Sequence, residues 1–211
     1  MIRSLKGLYH LLEAILANIW FGFPGKKLTV IGVTGTDGKT TTTTLIYEIL
    51  QAAGMRVSMI TSVAAVIAGK SYDTGFHVTN PRALWLQKYL RQAVAHGDTH
   101  MVLEVTSHGL SQHRVWGIPF AVGVLTNVTH EHLDWHGTME AYLATKLTLL
   151  KNARTAIIGK KEFENARGTL EGKNVIVYDS VHFAFHSKLL GDFNRANCLA
   201  AIAATNALGV S

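Results

Sequence analysis

From Lys27 onward the chain alternates short apolar runs rich in β-branched residues with longer stretches whose apolar positions recur at helical spacing. That rhythm predicts a mostly parallel sheet with helices on both faces, because a parallel strand returns only through a long crossover. The expected strands are Leu28–Val33, Val57–Thr61, Met101–Val105, Val122–Thr126, Thr155–Ile158 and Val175–Tyr178. The expected helices are Thr40–Ala53, closed by Gly54; Arg82–Ala95, closed near Gly97; Met139–Leu150; and Ala196–Leu208, closed by Gly209. Lys160 to Gly172 is the most polar stretch and reads as a loop. The pattern predicts one doubly wound α/β domain over residues 27–211, preceded by a helical extension over residues 1–26.

Within the extension, Leu8 to Phe23 (LYHLLEAILANIWFGF) follows Arg3 and Lys6 and superficially looks like a signal peptide or short membrane span. His10, Glu13 and Asn18 interrupt it, and it falls short of the roughly 20 residues that a spanning helix needs. The expectation is a helix whose apolar face packs on its own domain or on a partner. Peripheral membrane contact through Leu8–Phe23 is the lesser alternative.

Composition narrows the function classes. The 211 residues are 48% hydrophobic and 16% charged with only 3 prolines, which fits a folded core and excludes a disordered chain. A single cysteine, Cys198, excludes an internal disulfide or a multi-cysteine zinc site and fits a reducing, cytoplasmic setting. The formal charge of +6 suits an anionic ligand. Basic residues stand singly or in pairs (Lys26-Lys27, Lys160-Lys161), with no basic run interleaved with aromatics, so nucleic acid is not an expected partner. Eleven histidines are unusual, and several fall between His108 and His136.

The first expected strand runs into Thr34-Gly35-Thr36-Asp37-Gly38-Lys39-Thr40-Thr41 and then directly into a helix. This is the context of a phosphate-binding loop. Glycines turn backbone N–H groups toward phosphates, the helix N-terminus and Lys39 add positive charge, and Thr40 offers a hydroxyl to Mg²⁺. The general loop pattern has a further glycine five residues before Gly38, where Val33 stands here.

Glu104 ends an otherwise apolar strand that a doubly wound sheet would bury. A buried carboxylate needs a cation or donors. At the carboxyl edge beside the loop that cation could be Mg²⁺, although position alone fits a structural ion pair equally well. His130-Glu131-His132-Leu133-Asp134-Trp135-His136 invites a rival reading as a zinc hydrolase with a His-x-His-x-Asp-His site. Trp135 shifts the third ligand out of register, and such enzymes have no use for a phosphate loop. Lys146, by its local spacing, reads as a solvated helix lysine.

Four ordered blocks then assemble: Gly35-Thr36-Asp37-Gly38-Lys39-Thr40-Thr41; Glu104-Val105-Thr106-Ser107-His108-Gly109-Leu110 with Gln112-His113-Arg114; Thr126-Asn127 through His132-Leu133-Asp134-Trp135-His136-Gly137; and Gly191-Asp192-Phe193-Asn194-Arg195-Ala196-Asn197. From about Lys27 to Gly209 the chain resembles the central domain of the Mur ligases, of the MurE or UDP-N-acetylmuramoyl-tripeptide synthetase type. The resemblance implies that Gly35 through Thr41, with Asn127, hold ATP, that Asn194 and Asn197 lie near its adenine, and that Thr40 and Glu104 bind one Mg²⁺. It implies that His132 ligates a second metal and that Lys146 becomes a carbamate by reaction with CO₂, which makes Lys39, His132 and Lys146 the catalytic set. Thr79, Asn80, Thr106, Gln112 and Arg114 would contact a UDP-muramoyl dipeptide. The implied chemistry is cytoplasmic peptidoglycan precursor synthesis: the D-glutamate carboxylate attacks the γ-phosphate in line, and an amino acid's amine then displaces phosphate from the acyl phosphate.

The chain departs from that pattern at Asp37, Asn80 and Thr106, which stand where Asn, Thr and Ser are common, and in a short stretch from Gly159 to Tyr178. The resemblance covers neither a uridine-holding N-terminal domain nor a C-terminal lid, so the expectation is a ligase domain that is incomplete as a catalyst by itself. A noncatalytic nucleotide-binding or docking module is the alternative, against which the joint presence of Lys39, Glu104, His132 and Lys146 argues.

Overall fold

The computed structural model describes residues 2–73, 81–129, 137–179 and 191–210. Helix α1 (Ile2–Phe21) leads through a 3₁₀ turn (Pro24–Lys27) into β1 (Thr29–Thr34) and α2 (Lys39–Ala52). There follow β2 (Val57–Ile60), the hairpin β3 (Ala64–Ile67) and β4 (Lys70–Asp73), then α3 (Ala83–His96) and β5 (His100–Glu104). A short α4 (Ser107–Ser111), β6 (Phe120–Leu125) and α5 (Met139–Asn152) come next. The chain ends with β7 (Thr155–Gly159), α6 (Lys160–Ala166), a second 3₁₀ turn (Arg167–Leu170), β8 (Asn174–Tyr178) and α7 (Asp192–Asn206).

Among the described residues the strands form one sheet in the order β4-β3-β2-β5-β1-β6-β7-β8. Strands β2 through β8 in that order are parallel, and only β3 and β4 run antiparallel to their neighbours. Central strands are apolar on both sides because both faces are covered. On one face Ile46 and Leu50 of α2 and Ala200, Ala201 and Ala204 of α7 cover Ile31, Val33, Val122 and Val124. On the other, Leu86 and Leu90 of α3 and Leu147 and Leu150 of α5 cover Val30, Leu103, Phe120 and Ile158. Gly32 in mid-strand is explained by close packing: a Cβ there would lie 2.7 Å from the Phe120 ring and 2.9 Å from Leu149.

The expected doubly wound α/β architecture is thus observed. One expectation is corrected: Lys160–Gly172 is helical for most of its length, because Ala166 and Leu170, four residues apart, are both buried in the core and Phe163 packs against it. The β3–β4 hairpin and α4 are additions to the sequence reading.

Helix α1 packs against α3, with Ala14 and Ala17 buried against Ala83. Buried Asn18 donates to the carbonyls of Ala14 and Trp116, both at 2.9 Å. Arg82, at the start of α3, donates to Glu13 at 3.0 Å and to the Tyr9 hydroxyl at 2.9 Å. The fully buried positions of the inward face are small or polar, Leu11 and Ile15 are half-buried, and the other large apolar side chains, from Leu8 to Trp20, are exposed. Among the described residues no helix is long and apolar enough to cross a membrane.

Candidate functional site

The central strands β1, β5 and β6 end together, and each contributes the residue just at or beyond its carboxyl end. Between β1 and α2 the chain turns at Gly38, in the left-handed region (φ 76°), and no side chain caps the helix that follows. The N–H groups of the first turn of α2 have no intrahelical acceptors and remain donors for a ligand. Gly38 also fits tightly: a Cβ would come within 2.1 Å of Asn197 Oδ1, so the loop lies directly on α7.

Contacts from β6 fix the loop's outer half. Asn127 Oδ1 accepts from Asp37 N at 2.9 Å and from Thr36 N at 3.2 Å, and the Asn127 carbonyl accepts from Thr36 N at 3.0 Å. Thr126 Oγ1 donates to the Asp37 carbonyl at 2.6 Å. Lys39 Nζ donates to the Thr36 carbonyl at 2.6 Å, which folds this half-buried ammonium back over its own loop. Helix α5 reaches the same loop from beneath, as Lys146 Nζ donates to the Gly35 carbonyl at 2.5 Å and stands 4.3 Å from the centre of the Tyr142 ring. The Tyr142 hydroxyl is 3.3 Å from Thr36 Oγ1. Lys146 is only 1% exposed, which corrects its reading as a solvated helix lysine.

At the other side of the loop stands Glu104, 2% exposed at the end of β5. Its Oε2 accepts from Thr40 Oγ1 at 2.8 Å, from Ser62 N at 3.0 Å and from Ser62 Oγ at 3.3 Å. These donors answer the desolvation of the carboxylate. Sequence reasoning missed Ser62, which sits in the β2–β3 connection and is brought here only by the sheet. Hard oxygen donors that converge in this way suit Mg²⁺ rather than a softer metal, so Thr40 and Glu104 fit the cation expected of them. Among the described residues His, Cys, Asp and Glu side chains form no cluster of three that could bind a metal. His132 and the rival zinc motif, along with Thr79 and Asn80, lie outside the described residues.

The remaining expected residues divide. Asn197 is buried beneath Gly38, while Asn194 is half-buried one turn earlier on α7. Asn197 also lines an open cleft of about 450 Å³ with Thr126, Asn127, Tyr178, Asp179 and the exposed Phe193, next to the loop. Thr41 lies half-buried in the first turn of α2. Thr106 is the N-cap of α4, accepting from Gly109 N at 3.0 Å. Gln112 Oε1 accepts from Arg114 Nε at 2.9 Å, and burial holds the Arg114 guanidinium below its usual range. A slightly larger cavity, about 500 Å³ between α5 and α6, is lined by Leu143, Leu147 and Glu162 and lacks the loop's donors. Burial raises the Glu162 carboxyl, and burial together with Glu162 raises the neighbouring Tyr178 phenol. That phenol donates to the Thr126 carbonyl at 3.0 Å.

Fold and site together define a doubly wound α/β domain with a strand, phosphate-loop and helix unit at the carboxyl edge of its central strand. Residues 33–172 match the Mur ligase middle domain, and the chain belongs to that family. It is 38% identical over 226 residues to the UDP-N-acetylmuramoyl-L-alanyl-D-glutamate--2,6-diaminopimelate ligase of Gloeobacter violaceus, covering 93% of this chain and 46% of that protein. It is 34% identical over 218 residues to the UDP-N-acetylmuramyl-tripeptide synthetase of Deinococcus radiodurans, covering 90% of this chain and 45% of that one. A solved structure of a UDP-N-acetylmuramoyl-L-alanyl-D-glutamate--2,6-diaminopimelate ligase superposes with a TM-score of 0.73 at 27% identity, over 87% of this chain and 44% of that chain. The chain thus spans somewhat under half the length of these relatives.

Proposed function

We propose that this chain is the ATP-binding, catalytic middle domain of a cytoplasmic peptide ligase of the MurE type. In this reading it activates the D-glutamate carboxylate of a UDP-N-acetylmuramoyl dipeptide for amide formation with an amino acid. The observation that carries the reading is the pairing of Thr40 with Glu104 at 2.8 Å beside the uncapped start of α2 and Lys39. Four kinds of group meet there: backbone donors at the helix start, the Lys39 ammonium, a hydroxyl and a buried carboxylate.

In the proposed mechanism the first turn of α2 and the Lys39 ammonium hold the β- and γ-phosphates, with Lys39 exchanging its Thr36 carbonyl for phosphate oxygen. Thr40 and Glu104 hold Mg²⁺, which supplies neutralisation of the phosphate charge as the carboxylate attacks in line. The adenine enters the cleft beside Asn197, Asn194 and Phe193. Asn127 does not bind phosphate through its own amide oxygen; it accepts from the N–H groups of Thr36 and Asp37 and so sets the shape of the loop. Lys146 in its carbamate form and His132 serve a second cation, and Thr79, Asn80, Thr106, Gln112 and Arg114 serve the muramoyl dipeptide. Arg114 and Gln112 already form one hydrogen-bonded unit, which supports a joint role in binding an anionic group.

Calorimetric titration with ATP in the presence of Mg²⁺ tests the reading. The full chain should bind, and Lys39→Ala should weaken binding by about 2–3 kcal/mol, the value of a charge-assisted contact, or on the order of a hundredfold. Equal and negligible affinities for the two proteins would remove the basis of the proposal.

A further inference from the structure

The outward face of α1 carries Leu8, Tyr9, Leu12, Leu16, Ile19 and Trp20, between 51% and 83% exposed. At helical spacing these six positions fill one arc of about 120°, so the exposure is continuous along the helix rather than scattered. Its opposite face is already committed to α3 through Ala14 and Ala17. The apolar arc continues onto the start of α3, where Leu84 and Trp85 are also exposed and where Arg82 is tied to Tyr9 and Glu13. A stripe of this size on a folded domain marks a surface that something covers.

Charge around the stripe indicates what covers it. The exposed Lys26 and Lys27 follow the carboxyl end of α1. Lys26 Nζ lies 4.6 Å above the Phe23 ring, and Lys88 Nζ lies 4.6 Å above the Trp85 ring, so cations and aromatics alternate at the rim. The nearby acidic residue, Glu13, is paired with Arg82. A second copy docked by two-fold symmetry with the helices parallel would set these lysines against their own counterparts.

We propose that the outer face of α1 lies in the headgroup region of an anionic phospholipid membrane, its apolar arc facing the acyl chains and Lys26, Lys27 and Lys88 at its rim facing lipid phosphates. Such a helix lies along the interface and does not cross it. Aromatic rings paired with lysines suit the headgroup level, where one end of the side chain is apolar and the other wet. This surface is separate from the nucleotide loop and does not rest on the proposed ligase activity.

Co-sedimentation of the full chain with phosphatidylcholine vesicles, with and without one-third phosphatidylglycerol, tests the assignment. The chain should pellet with the anionic vesicles, and the bound fraction should fall at high salt. Lys26→Glu combined with Lys27→Glu should weaken binding at least about tenfold, given the contribution of each basic residue near an anionic surface. Leu16→Glu should abolish binding while leaving the circular dichroism spectrum unchanged, because the substituted side chain is exposed. Vesicles should blue-shift the tryptophan emission, and the shift should shrink in Trp20→Phe. The proposal is overturned if wild type and Leu16→Glu pellet equally. It is also overturned if sedimentation equilibrium finds a dimer that Leu16→Glu dissociates, since the face would then be an interface between copies of the chain.

Discussion

At the residue scale, the loop shows how one missing methyl group can be a structural requirement. Gly38 has a φ of 76° and leaves no room for a Cβ, whereas Gly54, at φ 78°, has nothing within 4 Å of that position. An alanine at either site costs about 1–2 kcal/mol for the left-handed backbone. Only Gly38→Ala also drives a methyl group into Asn197. Urea denaturation should therefore show a larger loss for Gly38→Ala than for Gly54→Ala, and equal losses would mean that Asn197 yields freely. Glu162 supplies a pH test. Its carboxyl is raised chiefly by burial, so the folded chain holds a proton that the unfolded chain releases above the ordinary value of 4.5. The stability this contributes is present below 4.5 and is lost as pH rises through the raised folded value. Glu162→Gln should flatten that decline in stability, and it should also lower the Tyr178 phenol, measured by tyrosinate absorbance on alkaline titration. What the sequence disclosed at this scale is local: Gly38, Lys39 and Thr40 declare themselves because strand, loop and helix are contiguous. Lys146 and Ser62 gave no such sign, since a lysine on a helix is ordinary until the tertiary fold closes over it.

At the element scale, the long apolar runs were legible because a strand covered on both faces has to be apolar throughout. The β3–β4 hairpin was not. Each strand has four residues, the first is half alanine, and burial alternates only over Ala64 to Ile67. Its turn, Ala68-Gly69, has both φ values positive (54° and 72°), and the alanine there masks the usual turn composition. Helix α6 escaped for the opposite reason: KKEFENA is almost wholly polar, and its inward positions are few. Helix α5 gives a test at this scale. Thr138 caps it, accepting from Ala141 N at 3.2 Å, and the carboxyl of Glu140 is held below its usual range by its own backbone N–H and by Thr138. Thr138→Ala should cost about 1 kcal/mol in chemical denaturation and release the Glu140 carboxyl upward, while Thr138→Ser should do neither. A silent Thr138→Ala would mean that packing of Leu147, Leu149 and Leu150 holds the helix start unaided.

At the scale of the whole molecule, the candidate site is a junction. The loop after β1 is gripped by Thr126 and Asn127 just beyond β6, Lys146 from α5 and Asn197 from α7, and Glu104 of β5 reaches it through Thr40. A ligand that binds the loop and Glu104 together therefore engages elements from both layers around the sheet and should stabilise the whole molecule against unfolding rather than one local segment. By mass action, Mg²⁺ and ATP at a hundredfold excess over the dissociation constant contribute about 2.7 kcal/mol. For a chain of this length that corresponds to a rise in melting temperature of roughly 5–10 °C. Lys39→Ala should lose most of the rise. Leu16→Glu, on the outer face of α1, should keep all of it, since that face touches none of the junction. A rise that survives in Lys39→Ala would place the nucleotide elsewhere on the molecule. A rise lost in both variants would mean that α1 and the loop form one cooperative unit, contrary to the packing of α1 against α3.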